Sequence, residues 1–117
     1  MGWADGSLDQ MSPIDDNRQV RLEFALAFDR WLLNLRDHRA VARITTRLER
    51  LSRGHWGDVK PVGEGVSELR ITYGPGYRLY VLKRNEAWVI VLAGGDKSSQ
   101  SRDIVEAKRP AKEYRDE

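Results

Sequence analysis

Apolar residues recur at intervals of three and four along residues 24–54, then in short β-branched or aromatic runs along residues 59–93. That change of period separates a helical part of the chain from a sheet-forming part. Phe24, Phe28, Trp31, Leu32 and Leu35 build one stripe and predict a first helix, with Gln19 to Leu22 ahead of it as an edge strand. Asp37 stands where a second helix would start, because a short carboxylate can accept from the amides that a helix N-terminus leaves unpaired. Val41, Ile44, Leu48 and Leu51 then repeat until Gly54, which can end the segment in the left-handed conformation. The pair reads as a helical hairpin.

The later runs, Val59 to Val62, Val66 to Tyr73, Tyr77 to Lys83 and Trp88 to Ala93, are separated by Gly, Pro or Asn and predict strands of one antiparallel sheet. Trp88 to Leu92 is apolar throughout, as in a central strand, and Gly94 and Gly95 are expected to end it. Ser98 or Ser99 would cap a last helix in which Ile104, Val105 and Ala107 face inward, with Pro110 discouraging its continuation. The fold class expected is α+β, a helical hairpin packed on a twisted antiparallel sheet with a C-terminal helix.

Residues 1–17 show no apolar periodicity and are rich in Gly, Ser and Asp, which predicts a disordered acidic tail ahead of a single domain over residues 18–117, with Met11 as a second possible start. A chain of 117 residues with 40% apolar content suits one modest core. No run approaches the ~18 apolar residues of a membrane span and no signal peptide is visible, so a cytoplasmic protein is expected. The absence of cysteine excludes disulfides and thiolate zinc sites, and two isolated histidines make a poor metal site, so neither metal nor cofactor is expected.

The net charge of +2 hides an asymmetry. The tail holds Asp5, Asp9, Asp15 and Asp16 and no base before Arg18, so the rest of the chain carries 14 acidic against 20 basic residues, near +6. A basic body suits a polyanionic partner. Arg39, Arg43, Arg47, Arg50 and Arg53 lie between the apolar positions of the second helix, either as a solvated outer face or as phosphate contacts.

The Gly74-Pro75-Gly76 link suggests a tight connection with Tyr73 opposite Tyr77, Ile71 opposite Leu79 and Leu69 opposite Val81. Those apolar residues define a core face and turn Glu68, Arg70, Thr72, Arg78 and Tyr80 to the other, where two arginines would hold phosphate and the tyrosine would stack on a base. Lys97, after the glycine pair, and Lys60, on the first strand of the sheet, could reach its rim. RNA cleavage requires a 2′-hydroxyl deprotonated, charge on phosphorus stabilised and the leaving oxygen protonated. Arg70, Arg78 and Lys97 fit the second task. With no histidine on this face, proton transfer would fall to Glu68, Tyr80 or a lysine, which suits a slow enzyme dependent on a larger assembly for positioning. His38 and His55, at the ends of the second helix, read as structural rather than catalytic.

Three segments, Gly57 to Ile71, Tyr73 to Arg78 and Gly94 to Gln100, taken together resemble the HigB-like (Gp49-like) addiction-module killer proteins of the RelE/ParE type II toxin superfamily. The resemblance spans about Phe24 to Ala111. It implies a ribosome-dependent mRNA endonuclease that inhibits translation, a cognate antitoxin with a helix-turn-helix DNA-binding domain, and a monomer when free. By motif it implies catalytic positions for Arg78, Lys97, Arg70 and Glu68, and RNA contacts for Lys60, Tyr80 and Gln100. Some relatives carry an aromatic or histidine where Asp103 and Ile104 stand here. The alternatives are a ParE-like toxin that inhibits DNA gyrase without cutting RNA, and a toxin-derived protein that only binds antitoxin.

Overall fold

The computed structural model describes residues 19–116, so the expected acidic tail over residues 1–17 lies outside the described residues. The elements run β1 (Arg21–Phe24), α1 (Leu26–Leu33), α2 (His38–Ser52), β2 (Val59–Gly63), β3 (Val66–Ile71), β4 (Tyr77–Asn85), β5 (Trp88–Asp96), a 3-10 turn (Lys97–Ser99) and α3 (Gln100–Asp116). The sheet order is β1-β5-β4-β3-β2. The chain is α+β, as expected.

Local signals place α2 well. Asp37 accepts from the amides of Arg39 and Ala40 at 2.9 and 3.2 Å, and Gly54 follows the helix with φ +85°. The helix buries Ala40, Ile44, Leu48 and Leu51 against the sheet, in one cluster with Phe28 of α1 and Leu69, Ile71, Leu79, Val81, Val89 and Val91 of the strands. Both N-terminal helices therefore cover the same face.

Four expectations are corrected. The sheet is mixed, because β1 pairs parallel to β5, with Arg21 beside Trp88 and Phe24 beside Val91. The glycine pair does not end β5, which continues to Asp96. A side chain at Gly94 would overlap the Trp31 ring of α1, and one at Gly95 would overlap the Asp103 carboxylate of α3. Successive strand residues face opposite sides, so the two glycines admit one group on each face in turn. The third correction concerns α3, which runs through Pro110 to Asp116. Proline removes one backbone donor, but Ala107 and Ala111 on either side of it are buried, and this packing carries the helix past the defect. Val105, expected to face inward, is 56% exposed.

The fourth is the β3–β4 register. Ile71 pairs with Tyr77, Leu69 with Leu79, Arg70 with Arg78 and Glu68 with Tyr80. The connection is two residues longer than the sequence suggested: Tyr73 belongs to the turn, its carbonyl accepting from Gly76 N at 3.0 Å. A slip of this kind shifts each pair while leaving every side chain on its expected face, because the strand repeat is two residues.

The second face of the sheet is not open. Val66, Tyr80, Leu82, Ile90 and Leu92 form a second buried cluster with Ala107 and Ala111 of α3, so the domain has three layers, with helices on both sides of the sheet. No helix among the described residues is long and apolar enough to cross a membrane.

Candidate functional site

On the α3 side the strands set out two rows of residues. One row runs Arg70, Arg78 and Gly95 across β3, β4 and β5; the next runs Lys60, Glu68, Tyr80 and Ala93 from β2 to β5. Gly95 has no side chain, and the space above it holds the carboxylate of Asp103, which accepts from Ser99 Oγ at 2.5 Å. Ser99 is itself held by a capping box: its hydroxyl accepts from Asp96 N at 3.4 Å, while the Asp96 carboxylate accepts from Ser98 N at 2.8 Å. Hydrogen bonds from the Ser98 side chain and the Ser98 and Ser99 amides keep the Asp96 carboxyl below its ordinary pKa despite some desolvation. Asp96, rather than Ser98 or Ser99, is the capping residue at this corner. The Asp-x-Ser-Ser spacing carried that signal.

Arg78 and Lys97 come together at the β3–β4 turn. A methyl group at Gly76 would lie 3.5 Å from Arg78 Nη1 and 3.5 Å from Lys97 Cβ, so both side chains border this glycine. Arg78 Nη1 also donates to the Gly76 carbonyl at 3.2 Å. Its side chain is only 12% exposed, and Nε lies 3.6 Å from Glu68 Oε2. That oxygen accepts from Gln100 Nε2 at 2.8 Å. Glu68 is fully buried, as befits a carboxylate that balances an enclosed guanidinium. Lys97 and Lys60 are exposed.

Three assigned roles change in this geometry. Tyr80 is fully buried beneath α3, so its ring is not available to stack on a base. Burial and then the neighbouring Glu68 and Asp103 carboxylates push its hydroxyl pKa upward, which leaves it a poor acid near neutrality. Glu68 is likewise closed off and holds Arg78 from behind. Gln100 reaches the site through Glu68. Arg70 is paired with Asp58 at 2.9 Å and borders a groove at the sheet edge that α2 also lines. Thus Arg78, Lys97, Glu68 and Gln100 form one cluster, Lys60 stands on the same face beyond Glu68, and Arg70 adjoins it from the next strand. Asp103 and Ser99, which the sequence did not single out for this role, complete it. Among the described residues, no group of three His, Asp or Glu is arranged to hold a metal ion.

This geometry can neutralise a phosphate at the turn with one enclosed guanidinium and one exposed ammonium. No family model matches the chain. A chain in the crystal structure of the toxin–antitoxin complex RelBE2 from Mycobacterium tuberculosis is similar in fold, with a TM-score of 0.54 and 23% identity over 68% of this chain and 99% of that one. The architecture is thus RelE-like. In sequence, the chain is 47% identical over 94 residues to an uncharacterized protein of Haemophilus influenzae, covering 80% of this chain and 95% of that protein. The chain belongs to the same family as this Haemophilus protein.

Proposed function

We propose that the protein is the toxin of a type II toxin–antitoxin pair and acts as a ribosome-dependent mRNA endonuclease in the cytoplasm. The observation that carries this reading is the meeting of Arg78 and Lys97 at Gly76, on a RelE-like fold. In the reaction, a 2′-hydroxyl oxygen attacks the adjacent phosphorus as its proton passes to a solvent water, and the bond from phosphorus to the 5′-oxygen breaks as that oxygen gains a proton. Arg78 and Lys97 stabilise the added charge on the phosphoryl oxygens. Lys97, exposed at the turn, is the group assigned to return a proton to the leaving oxygen. Glu68 and Gln100 keep the guanidinium aimed outward. The HigB-like assignment rests on the three sequence segments that carry the resemblance. The partner is a cognate antitoxin with a helix-turn-helix domain, whose acidic or amphipathic segment would cover the basic rim, and the free toxin is a monomer.

The enclosure of Glu68 and Tyr80 leaves few groups for proton transfer. That favours the second reading, a protein that arrests growth through DNA gyrase or only binds antitoxin. Primer-extension mapping of cellular mRNA after brief induction separates them. New cuts in translated regions are expected with the wild type and not with Lys97→Ala, whose exposed side chain can be removed without touching the buried Glu68–Arg78 pair and whose loss should cost on the order of 2–4 kcal/mol in the transition state. Growth arrest without cuts would overturn the nuclease reading.

A further inference from the structure

A strongly basic groove lies outside this cluster. It measures about 600 Å³, and its walls hold five arginines against one aspartate: Arg39, Arg43, Arg47 and Arg50 from α2, with Arg70 and Asp58 from the sheet. Helical spacing puts the α2 arginines on the flank of the helix beside the core stripe of Ala40, Ile44, Leu48 and Leu51, facing the edge of the sheet. Arg47 is committed to the fold, donating to the carbonyls of Arg70, Trp56 and Asp58 at 2.5, 3.0 and 2.7 Å. Asp58 is taken by Arg70. Arg39, Arg43 and Arg50 are exposed, and none is within salt-bridge distance of a carboxylate among the described residues, although Arg39 lies near enough to Asp37 to help lower its pKa.

The three span eleven residues of helix, about 16 Å, enough for several successive phosphates. The groove also leads to the candidate site. Arg43 stacks over the Tyr73 ring at 4.6 Å, and Tyr73 opens the turn that ends at Gly76 beside Arg78 and Lys97. Arg70 on the groove wall is the cross-strand partner of Arg78. Planar guanidiniums bind phosphate through paired donors, so this continuity favours a nucleic-acid strand over an unrelated acidic peptide.

We propose that this groove holds the sugar-phosphate backbone of the RNA flanking the Arg78–Lys97 site, with Arg39, Arg43 and Arg50 as its phosphate contacts. The inference rests on the RNA reading given above. The test is fluorescence anisotropy of the full chain with 2′-O-methyl oligonucleotides of four and twelve nucleotides, which cannot be cleaved through the 2′-oxygen, across a salt series. Wild type should bind the longer oligonucleotide at least tenfold more tightly. The triple variant Arg39→Gln/Arg43→Gln/Arg50→Gln should lose that gain and lower the salt slope by about 2, at roughly 0.7 per contact. The corresponding triple lysine variant should recover most of the slope, and all three proteins should melt alike, since these side chains lie outside the core. Unchanged affinity and slope in the glutamine variant would overturn the groove assignment. So would binding of polyglutamate in the groove without competition from the oligonucleotide. Should Lys97→Ala still abolish cellular cuts in that case, the nuclease reading would stand without the groove; absence of both cuts and oligonucleotide binding in the wild type would remove both.

Discussion

Glu68 and Arg78 form the one deeply enclosed ion pair among the described residues, with side chains 0% and 12% exposed and 3.6 Å between Oε2 and Nε. At an effective dielectric near 20, two unit charges at that separation attract by about 4–5 kcal/mol. Glu68→Gln preserves the shape and leaves an amide oxygen for Gln100, so charge is the main thing lost. The guanidinium then stays enclosed without its counter-charge, which should destabilise the fold by about 3–5 kcal/mol. Against a total of about 5–15 kcal/mol for a domain, this is a large fraction. Arg78→Met should cost a similar amount, because it strands the carboxylate. The double variant carries neither charge and should be much less damaged than the two single losses added together, with a coupling of at least about 2 kcal/mol. Equilibrium urea unfolding at pH 7 reads this out. With an m-value near 1.5 kcal/mol per molar, each single variant should lower the midpoint by about 2–3 M. A Glu68→Gln loss under about 1 kcal/mol, or strict additivity in the double variant, would refute the view that Glu68 is there to hold Arg78.

Two further outcomes follow from the packing. Gly94→Ala drives a methyl group into the Trp31 ring and should cost about 1–3 kcal/mol by overpacking, measured by thermal melting; combination with Trp31→Leu should relieve most of that cost. Tyr80→Phe removes a buried hydroxyl that lies beside the Glu68 carboxylate, so stability at pH 7 should fall by no more than about 1.5 kcal/mol. Its effect should appear at alkaline pH. Burial, followed by Glu68 and Asp103, raises the Tyr80 pKa in the folded state, so above pH ~10 the unfolded chain sheds this proton while the folded chain keeps it. Wild type therefore loses stability as pH climbs past that value, and Tyr80→Phe should lose less; urea midpoints at pH 8 and 10.5 compare the two, and equal losses would count against the buried hydroxyl.

What the sequence conveyed depended on how far apart the determining contacts lie. The start of α2 was legible because Asp37 bonds amides two and three residues away, and its end because Gly54 meets its own conformational need. Strand faces were legible because alternation is local. The pairing of β3 with β4 was not, since it turned on whether Tyr73 belongs to the strand or to the turn, and both suit an aromatic residue. The parallel β1–β5 contact joins residues more than sixty positions apart and leaves no nearby trace. The glycine pair resembled a strand end because glycine ends strands often; the ring and carboxylate that occupy its two sides come from α1 and α3.

The misplaced role of Tyr80 has a related origin. A sheet face bearing Glu68, Arg70, Arg78 and Tyr80 looks open when only the strands are considered, and the helix that closes it announces itself weakly, because Ala107 and Ala111 are its buried residues and alanine adds little to an apolar stripe. Yet small side chains are what allow α3 to lie close enough for Gln100 to reach Glu68 and for Asp103 to fill the space above Gly95. Closure of the face and orientation of Arg78 are thus one structural event. The basic groups left accessible, Lys97 at the turn and the arginines of the α2 groove, lie along the boundary that this helix does not cover. On the proposed RNA reading, a polyanion would meet that boundary first, and the enclosed guanidinium of Arg78, held from behind by Glu68, is the fixed point on it.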